Sequence, residues 1–323
     1  MFQLFVKMRD FFRLCRFAPL ATGVVLLFAL ATGAGCDTAS APDRTVTDAL
    51  GRSVAVPDTV QRVVPLAPNL TELAVAAGGA DRLRAVTVSD NYPPALVDTL
   101  PRVQTLPVDY EALVQHSPDL VLATDQVNSP GDADPLAQMG VPTYFFSFDA
   151  VDDIFTSIET LGTLMRTESD AQARADTLRR AFDALRTATE SVPRPRVLML
   201  VGDETLYAFG GPSYVHTLIE AAGGTSITDH FESAAPTLSE EFVLQEAPDV
   251  IIGLFEAEAP TEHLLRLHPT WDVVPALQND RVYTVDADLV SRPGPRVVQG
   301  AYRIATLLHH DRALPAPPSL RLP

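Results

Sequence analysis

Short, wholly apolar runs alternate with amphipathic stretches along most of this chain, and Gly, Pro or Asp marks each change of rhythm. Val63-Val64-Pro65-Leu66 predicts a first strand. Pro68 then opens a helix with Leu70, Leu73, Ala74 and Ala77 at helical spacing, which stops at Gly78-Gly79. A strand over 83–88 follows, then a helix over 109–116, a strand over 120–124, a helix over 134–139 closed by Gly140, and a strand over 143–148. The scheme restarts with a strand over 196–201, a helix over 213–222 ending at Gly223-Gly224 and a short strand reaching Thr228. A helix over 239–246, a strand over 249–254, helical segments over 261–267 and 273–277, a strand over 282–285 and a helix over 297–309 complete it. Apolar strands separated by helices predict mainly parallel sheets, hence an α/β fold.

Between the two series, residues 149–192 hold no proline and a single glycine, Gly162. Ile154, Ile158, Leu161, Leu164 and Met165 form one apolar stripe, and Ala175, Leu178, Phe182 and Leu185 continue a helical period among many charges. The stretch predicts a long helix or two abutting ones. A continuous one would reach roughly 60 Å at 1.5 Å per residue, enough to span two lobes.

One pattern occurs twice, about 130 residues apart. Tyr110-Glu111-Ala112-Leu113-Val114 leads through Ser117-Pro118-Asp119 into Leu120-Val121-Leu122. Glu240-Glu241-Phe242-Val243-Leu244 leads through Ala247-Pro248-Asp249 into Val250-Ile251-Ile252, so Glu111 aligns with Glu241 without a gap. That spacing is too long for a solenoid and points to two similar lobes with a cleft between them.

The first 36 residues read as an export signal: Lys7, Arg9, Arg13 and Arg16 precede an apolar run from Phe17 that ends in small residues at Cys36. Cleavage before Cys36 would leave it open to lipid attachment. Cleavage after Ala31 gives simple secretion, and no cleavage gives a signal anchor. Cys15 is the only other cysteine and lies in the signal, so the mature chain has no intramolecular disulfide. Removing residues 1–35 takes away four of 24 basic and one of 41 acidic residues, and the net charge moves from −17 to −20. Such a balance argues against nucleic acid as a partner. The domain plan is a signal with its cysteine over 1–36, a tether and edge hairpin over 37–60, an N-terminal lobe over 61–148, an interlobe helix over 149–192, a C-terminal lobe over 193–312 and a frayed tail over 313–323.

In order along the chain, Ala67-Pro68-Asn69-Leu70-Thr71-Glu72-Leu73, Ser89-Asp90-Asn91-Tyr92-Pro93-Pro94, Ser117-Pro118-Asp119-Leu120-Val121, Ala221-Ala222-Gly223-Gly224 and Arg292-Pro293-Gly294-Pro295-Arg296 carry a resemblance. Over about residues 60–310 the chain resembles the substrate-binding proteins of bacterial ABC importers that handle cobalamin and iron-siderophore complexes. The resemblance implies two α/β lobes, each with a mainly parallel sheet flanked by helices, joined by a single long rigid interlobe helix. It also implies an envelope location, an ABC permease with its ATPase as partner, and a monomer lipid-anchored to a membrane. Catalytic residues, a bound metal and a resident cofactor are not expected, since the metal chelate is cargo.

The matching positions for permease docking are Glu111 and Glu241, where a carboxylate on each rigid lobe can make a bidentate pair with arginine. Cleft loops at the carboxyl ends of strands carry Ser89, Asp90, Tyr92, Thr124, Tyr207, Phe209, Asp288 and Arg292 as expected ligand contacts. Tyr207 and Asp288 fall where cobalamin-binding relatives have an aromatic and an acidic contact, while other aromatic pocket positions carry Ser89, Thr124 and Ala235 here. Glu72 is expected only to favour its helix start, and Trp271 to pack. Ferric-siderophore or haem binding is the alternative ligand. A zinc or manganese receptor or an enzyme fits less well, because the chain holds no histidine-rich loop, Gly-x-Ser-x-Gly elbow, His-Glu-x-x-His or phosphate loop.

Overall fold

The computed structural model describes residues 44–316. The expected signal, Cys36, the start of the tether and the last residues of the tail lie outside them. An antiparallel hairpin opens the described chain, β1 (Arg44–Thr47) and β2 (Ser53–Val56), turning at Gly51 with φ +75°. The N-terminal lobe then runs β3 (Val63–Pro65), α1 (Pro68–Ala76), β4 (Val86–Thr87), α2 (Pro94–Val97), β5 (Arg102–Val103), α3 (Tyr110–Val114), β6 (Leu120–Thr124), α4 (Ala133–Gln138) and β7 (Thr143–Phe146). Two helices follow, α5 (Val151–Met165) and α6 (Glu168–Thr189). The C-terminal lobe runs β8 (Arg196–Leu200), α7 (Val215–Ala221), β9 (Thr225–Ser226), α8 (Glu240–Glu246), β10 (Val250–Gly253), α9 (Pro260–Leu267), α10 (Pro275–Gln278), β11 (Val282–Thr284) and α11 (Val297–Leu308).

Every strand pair except the hairpin is parallel. The N-terminal order is β3-β6-β7, with the β4-β5 pair joined through a Val63–Leu83 bridge, and the C-terminal order is β11-β10-β8-β9. The hairpin docks at the β7 edge, where the Ala49 N–H donates to the Phe145 carbonyl at 3.0 Å and Arg52 reaches the Thr143 carbonyl at 2.8 Å.

Strand residues alternate between two destinations, as the pleat requires. Leu120, Leu122, Tyr144 and Phe146 enter a core shared with Val197, Met199, Val250 and Ile252 of the other lobe. Their neighbours Val121, Ala123 and Phe145 fill a core private to the N-terminal lobe, and Leu198, Leu200 and Ile251 fill one private to the C-terminal lobe. Burial on both faces is why these strands read as unbroken apolar runs.

Residues 149–192 do not form the single long helix that the resemblance implied; α5 and α6 are separate and pack against each other. Arg166 breaks the run at φ +58°, and its guanidinium is fixed by the Asp58 carboxylate at 2.6 Å. The glycine that usually marks such a stop is absent, so the break is not visible in the sequence. Gly162 serves instead at the crossing, where a Cβ would collide with Ala171. Helix α6 bridges the lobes: 22 residues long, about 33 Å, it meets α1 and α5 on one side and α7 and α11 on the other. The Thr189 hydroxyl donates to the Ala221 carbonyl at 2.8 Å, and Tyr302 donates to the Ala181 carbonyl at 2.9 Å. Among the described residues no helix is long and apolar enough to cross a membrane.

Leu178 is fully buried on α6 in the shared core. Leu178→Ala should cost about 3 kcal/mol in denaturant unfolding, with both lobes still unfolding in one transition. Two separated transitions would show that the cores are independent.

Candidate functional site

Loops at the carboxyl ends of β4, β6, β8 and β11 carry all eight expected ligand residues, and the structure divides them into three groups. Asp90 and Thr124 turn inward: both are buried, the Asp90 carboxylate accepts the Thr87 N–H at 2.8 Å and hydroxyl at 2.6 Å, and the Thr124 N–H donates to Asn128 Oδ1 at 3.1 Å. These two shape their own turns. Ser89, Tyr207 and Phe209 belong to a second group; Ser89 is exposed, Tyr207 is 46% exposed, and Phe209 is half-buried against the shared core.

Tyr92, Asp288 and Arg292 converge in the third group, and they do so across the lobes. Arg292 Nε lies 2.9 Å from Asp288 Oδ1. Asn91, next to Tyr92, donates from Nδ2 to Asp288 Oδ2 at 2.8 Å and accepts from an Arg292 terminal nitrogen at 2.7 Å. Behind this triangle lies Arg296, whose guanidinium stacks over the Tyr92 ring at 4.4 Å and comes within 3.8 Å of Asp288. Arg296 also makes a bidentate pair with Glu72 of α1, at 2.8 and 2.7 Å, with both side chains buried. Burial lifts the Glu72 carboxyl above the usual carboxylate range, and the Arg296 hydrogen bonds and charge oppose that lift. For Arg296, burial works to lower the pKa, but the Glu72 bond and charge outweigh it and hold the guanidinium above its ordinary value.

The repeated motif is repeated in three dimensions. Asp109 and Ser239 are equivalent N-caps, accepting the N–H of Ala112 at 3.0 Å and of Phe242 at 3.2 Å. One residue on, Tyr110 anchors inward through its hydroxyl to Asp132 at 2.7 Å, and Glu240 through His268 at 3.0 Å and Thr270 at 3.1 Å. The His268 bond holds the Glu240 carboxyl below the usual range. His268 is itself buried and stacked on the fully buried Trp271 at 4.3 Å. Tyr110 and Glu240 are thus tied to neighbouring side chains, whereas Glu111 and Glu241 are exposed and neither makes an ion pair among the described residues. A left-handed residue follows each helix at the equivalent position, Ala247 at φ 44° as the cap of α8 and Ser117 at φ 48° shortly after α3. The Asp of each Pro-Asp pair then caps the neighbouring strand, Asp119 accepting the Arg62 N–H at 3.0 Å and Asp249 the Arg196 N–H at 2.8 Å.

With that geometry established, comparison with known proteins is decisive: the profile of the periplasmic binding protein family matches residues 63–289. The chain belongs to this family. Among similar curated proteins is the vitamin B12-binding protein of Vibrio cholerae, 28% identical over 256 residues, covering 79% of this chain and 91% of that one. The crystal structure of the periplasmic vitamin B12 binding protein of Vibrio cholerae superposes with a TM-score of 0.68 at 29% identity, covering 79% of this chain and 98% of that chain. A periplasmic heme-binding protein from Roseiflexus sp. RS-1 shares the fold with a TM-score of 0.68 at 23% identity, covering 77% and 98%.

In this periplasmic binding protein, sequence reasoning missed Asn91, Arg296 and the role of Glu72. Glu72 left one signal, since it is the only charge on an otherwise uncharged and almost wholly buried α1. It does not serve the helix start; it is the partner of an arginine 224 positions away.

Glu72→Met alone should strand a buried guanidinium and cost about 3 to 5 kcal/mol, whereas Glu72→Met with Arg296→Met should recover most of that loss. Urea unfolding of the two singles and the double checks this; additive losses would contradict a coupled pair.

Proposed function

We propose that this chain is the extracytoplasmic substrate-binding protein of an ABC importer, which captures a corrinoid between its lobes and delivers it to the membrane permease. The observation that carries this reading is the convergence of Tyr92, Asp288 and Arg292 from both lobes at one point between them. That point joins an aromatic ring to an acceptor and a donor. A corrinoid presents a broad apolar macrocycle with carboxamide arms, which such a set suits: Tyr207, Phe209 and Tyr92 against the ring, Asp288 and Arg292 for the arms. Ser89 belongs to the same rim, and Asp90 and Thr124 contribute by shaping their loops. Similarity to vitamin B12-binding proteins over most of the chain supports the same ligand class.

Glu111 and Glu241 are the docking carboxylates of this reading, one per lobe, each free because its neighbour is anchored inward. Arginines of the permease would pair with them and set orientation. The shared core and α6 restrict lobe motion, so release depends on the permease prying the cleft rather than on a wide hinge. The chain acts as a monomer, makes and breaks no bond and keeps no cofactor; the metal chelate is its cargo. Cys36 provides the lipid anchor at the envelope.

Calorimetry on the fragment that follows Cys36 should register micromolar or tighter binding of cyanocobalamin and none of a ferric siderophore or haem. Heat with either of the latter alone would keep the transport role and replace the ligand. Glu111→Ala with Glu241→Ala should leave that affinity within about twofold while abolishing uptake in cells that carry the permease; loss of ligand binding in the double variant would refute the docking assignment.

A further inference from the structure

Asn91 has no role in the proposed function, yet it completes the Asp288–Arg292 pair. Its amide gives a hydrogen to the carboxylate at 2.8 Å and takes one from the guanidinium at 2.7 Å, and only this orientation of the amide satisfies both partners. The two partners also hold each other. Arg292 Nε lies 2.9 Å from Asp288 Oδ1, the Asp288 N–H is capped by Asp286 Oδ1 at 2.9 Å, and Arg296, locked to Glu72, stands 3.8 Å behind Asp288. An acceptor beside a donor is a fork for one primary carboxamide. A carboxylate could meet Arg292 but would face the Asp288 charge at close range.

From this geometry we infer that Asn91 is an internal stand-in for a ligand carboxamide: it closes the Asp288–Arg292 fork between the lobes and must leave when an amide arm of the cargo enters. The inference rests on the corrinoid reading and adds to it. Asn91 becomes a specificity-determining residue, because cargo lacking a primary amide cannot replace what its departure breaks. Its exposure on the 88–92 loop lets it swing away without disturbing the core. On this inference a closed fork competes with the cargo, so the apparent dissociation constant is weakened by the closed fraction.

Two measurements on the fragment after Cys36 separate this inference from the reading beneath it. By calorimetry, Asn91→Ala should bind cyanocobalamin about tenfold more tightly than the unaltered chain; equal or weaker binding overturns the inference and leaves the corrinoid reading standing. By NMR without ligand, the Asn91 side-chain amide proton facing Asp288 should exchange with solvent more slowly than that of a free asparagine and be shifted by its hydrogen bond, and both signatures should fall to free-amide values in Asp288→Ala. Free-amide exchange and shift in the unaltered chain overturn the closed fork. Failure of both proteins to bind cyanocobalamin sinks the corrinoid reading instead, and the NMR result then decides whether the fork closes on Asn91.

Discussion

Glu72 and Arg296 fix where the two lobes stand at the cleft. Each would cost several kcal/mol to bury alone, and the pair is tolerable only because two parallel hydrogen bonds at 2.7 and 2.8 Å join them. Such a pair adds little net stability over an apolar contact; what it sets is position. Arg296 lies at the start of α11 and Glu72 in the middle of α1, so the bond brings the 286–292 loop against the 88–92 loop. Tyr92, stacked on the same guanidinium, and Asp288, held beside it, take their places from this one contact. Asn69 adds a weaker tie, its amide reaching the Pro293 carbonyl at 3.4 Å.

Behind the cleft the lobes are bound by apolar burial. Each sheet turns one face to its private core and the other to a core continuous through α5 and α6. On α6 the buried positions are Ala171, Ala175, Leu178, Phe182, Leu185 and Thr189, a spacing of four and three that keeps one stripe inward along the whole helix. Opening the cleft widely would expose part of that shared core, at roughly 25 cal/mol for each Å² of apolar surface. The shared core therefore restricts how far the two lobes can separate.

Duplication explains why the two outer glutamates can be equivalent. In each copy a polar N-cap starts the helix, the next side chain anchors it inward, a left-handed residue stops it, and an aspartate ties the following strand to its neighbour. The anchors differ in chemistry, a tyrosine hydroxyl in one lobe and a carboxylate on a buried, Trp271-stacked histidine in the other. The result is the same: the third residue of the motif is left facing outward. Sequence alone aligned Glu111 with Glu241; the bonds of Glu240 to His268 and Thr270 are what single out Glu241 from its neighbour.

The order of strands and helices, the parallel sheets, the edge hairpin and the repeated motif were all legible in the sequence, because they depend on period, caps and turn residues that neighbours along the chain supply. Short elements such as α2 and β5 were not, having too few residues to display a period. Neither was the break between α5 and α6, since an arginine held by Asp58 does there what a glycine does elsewhere. Of the expected ligand residues, sequence placed each on a loop beside the cleft, but loop position does not say which way a side chain turns. Asp90 and Thr124 turned into their own loops, while Tyr92, Asp288 and Arg292 met with Asn91, Arg296 and Glu72 across separations of about 200 residues. The local pattern determined the elements and their order; only the packing of one lobe on the other decided which charges would meet, because a buried ion pair between distant residues leaves no periodic trace in the chain.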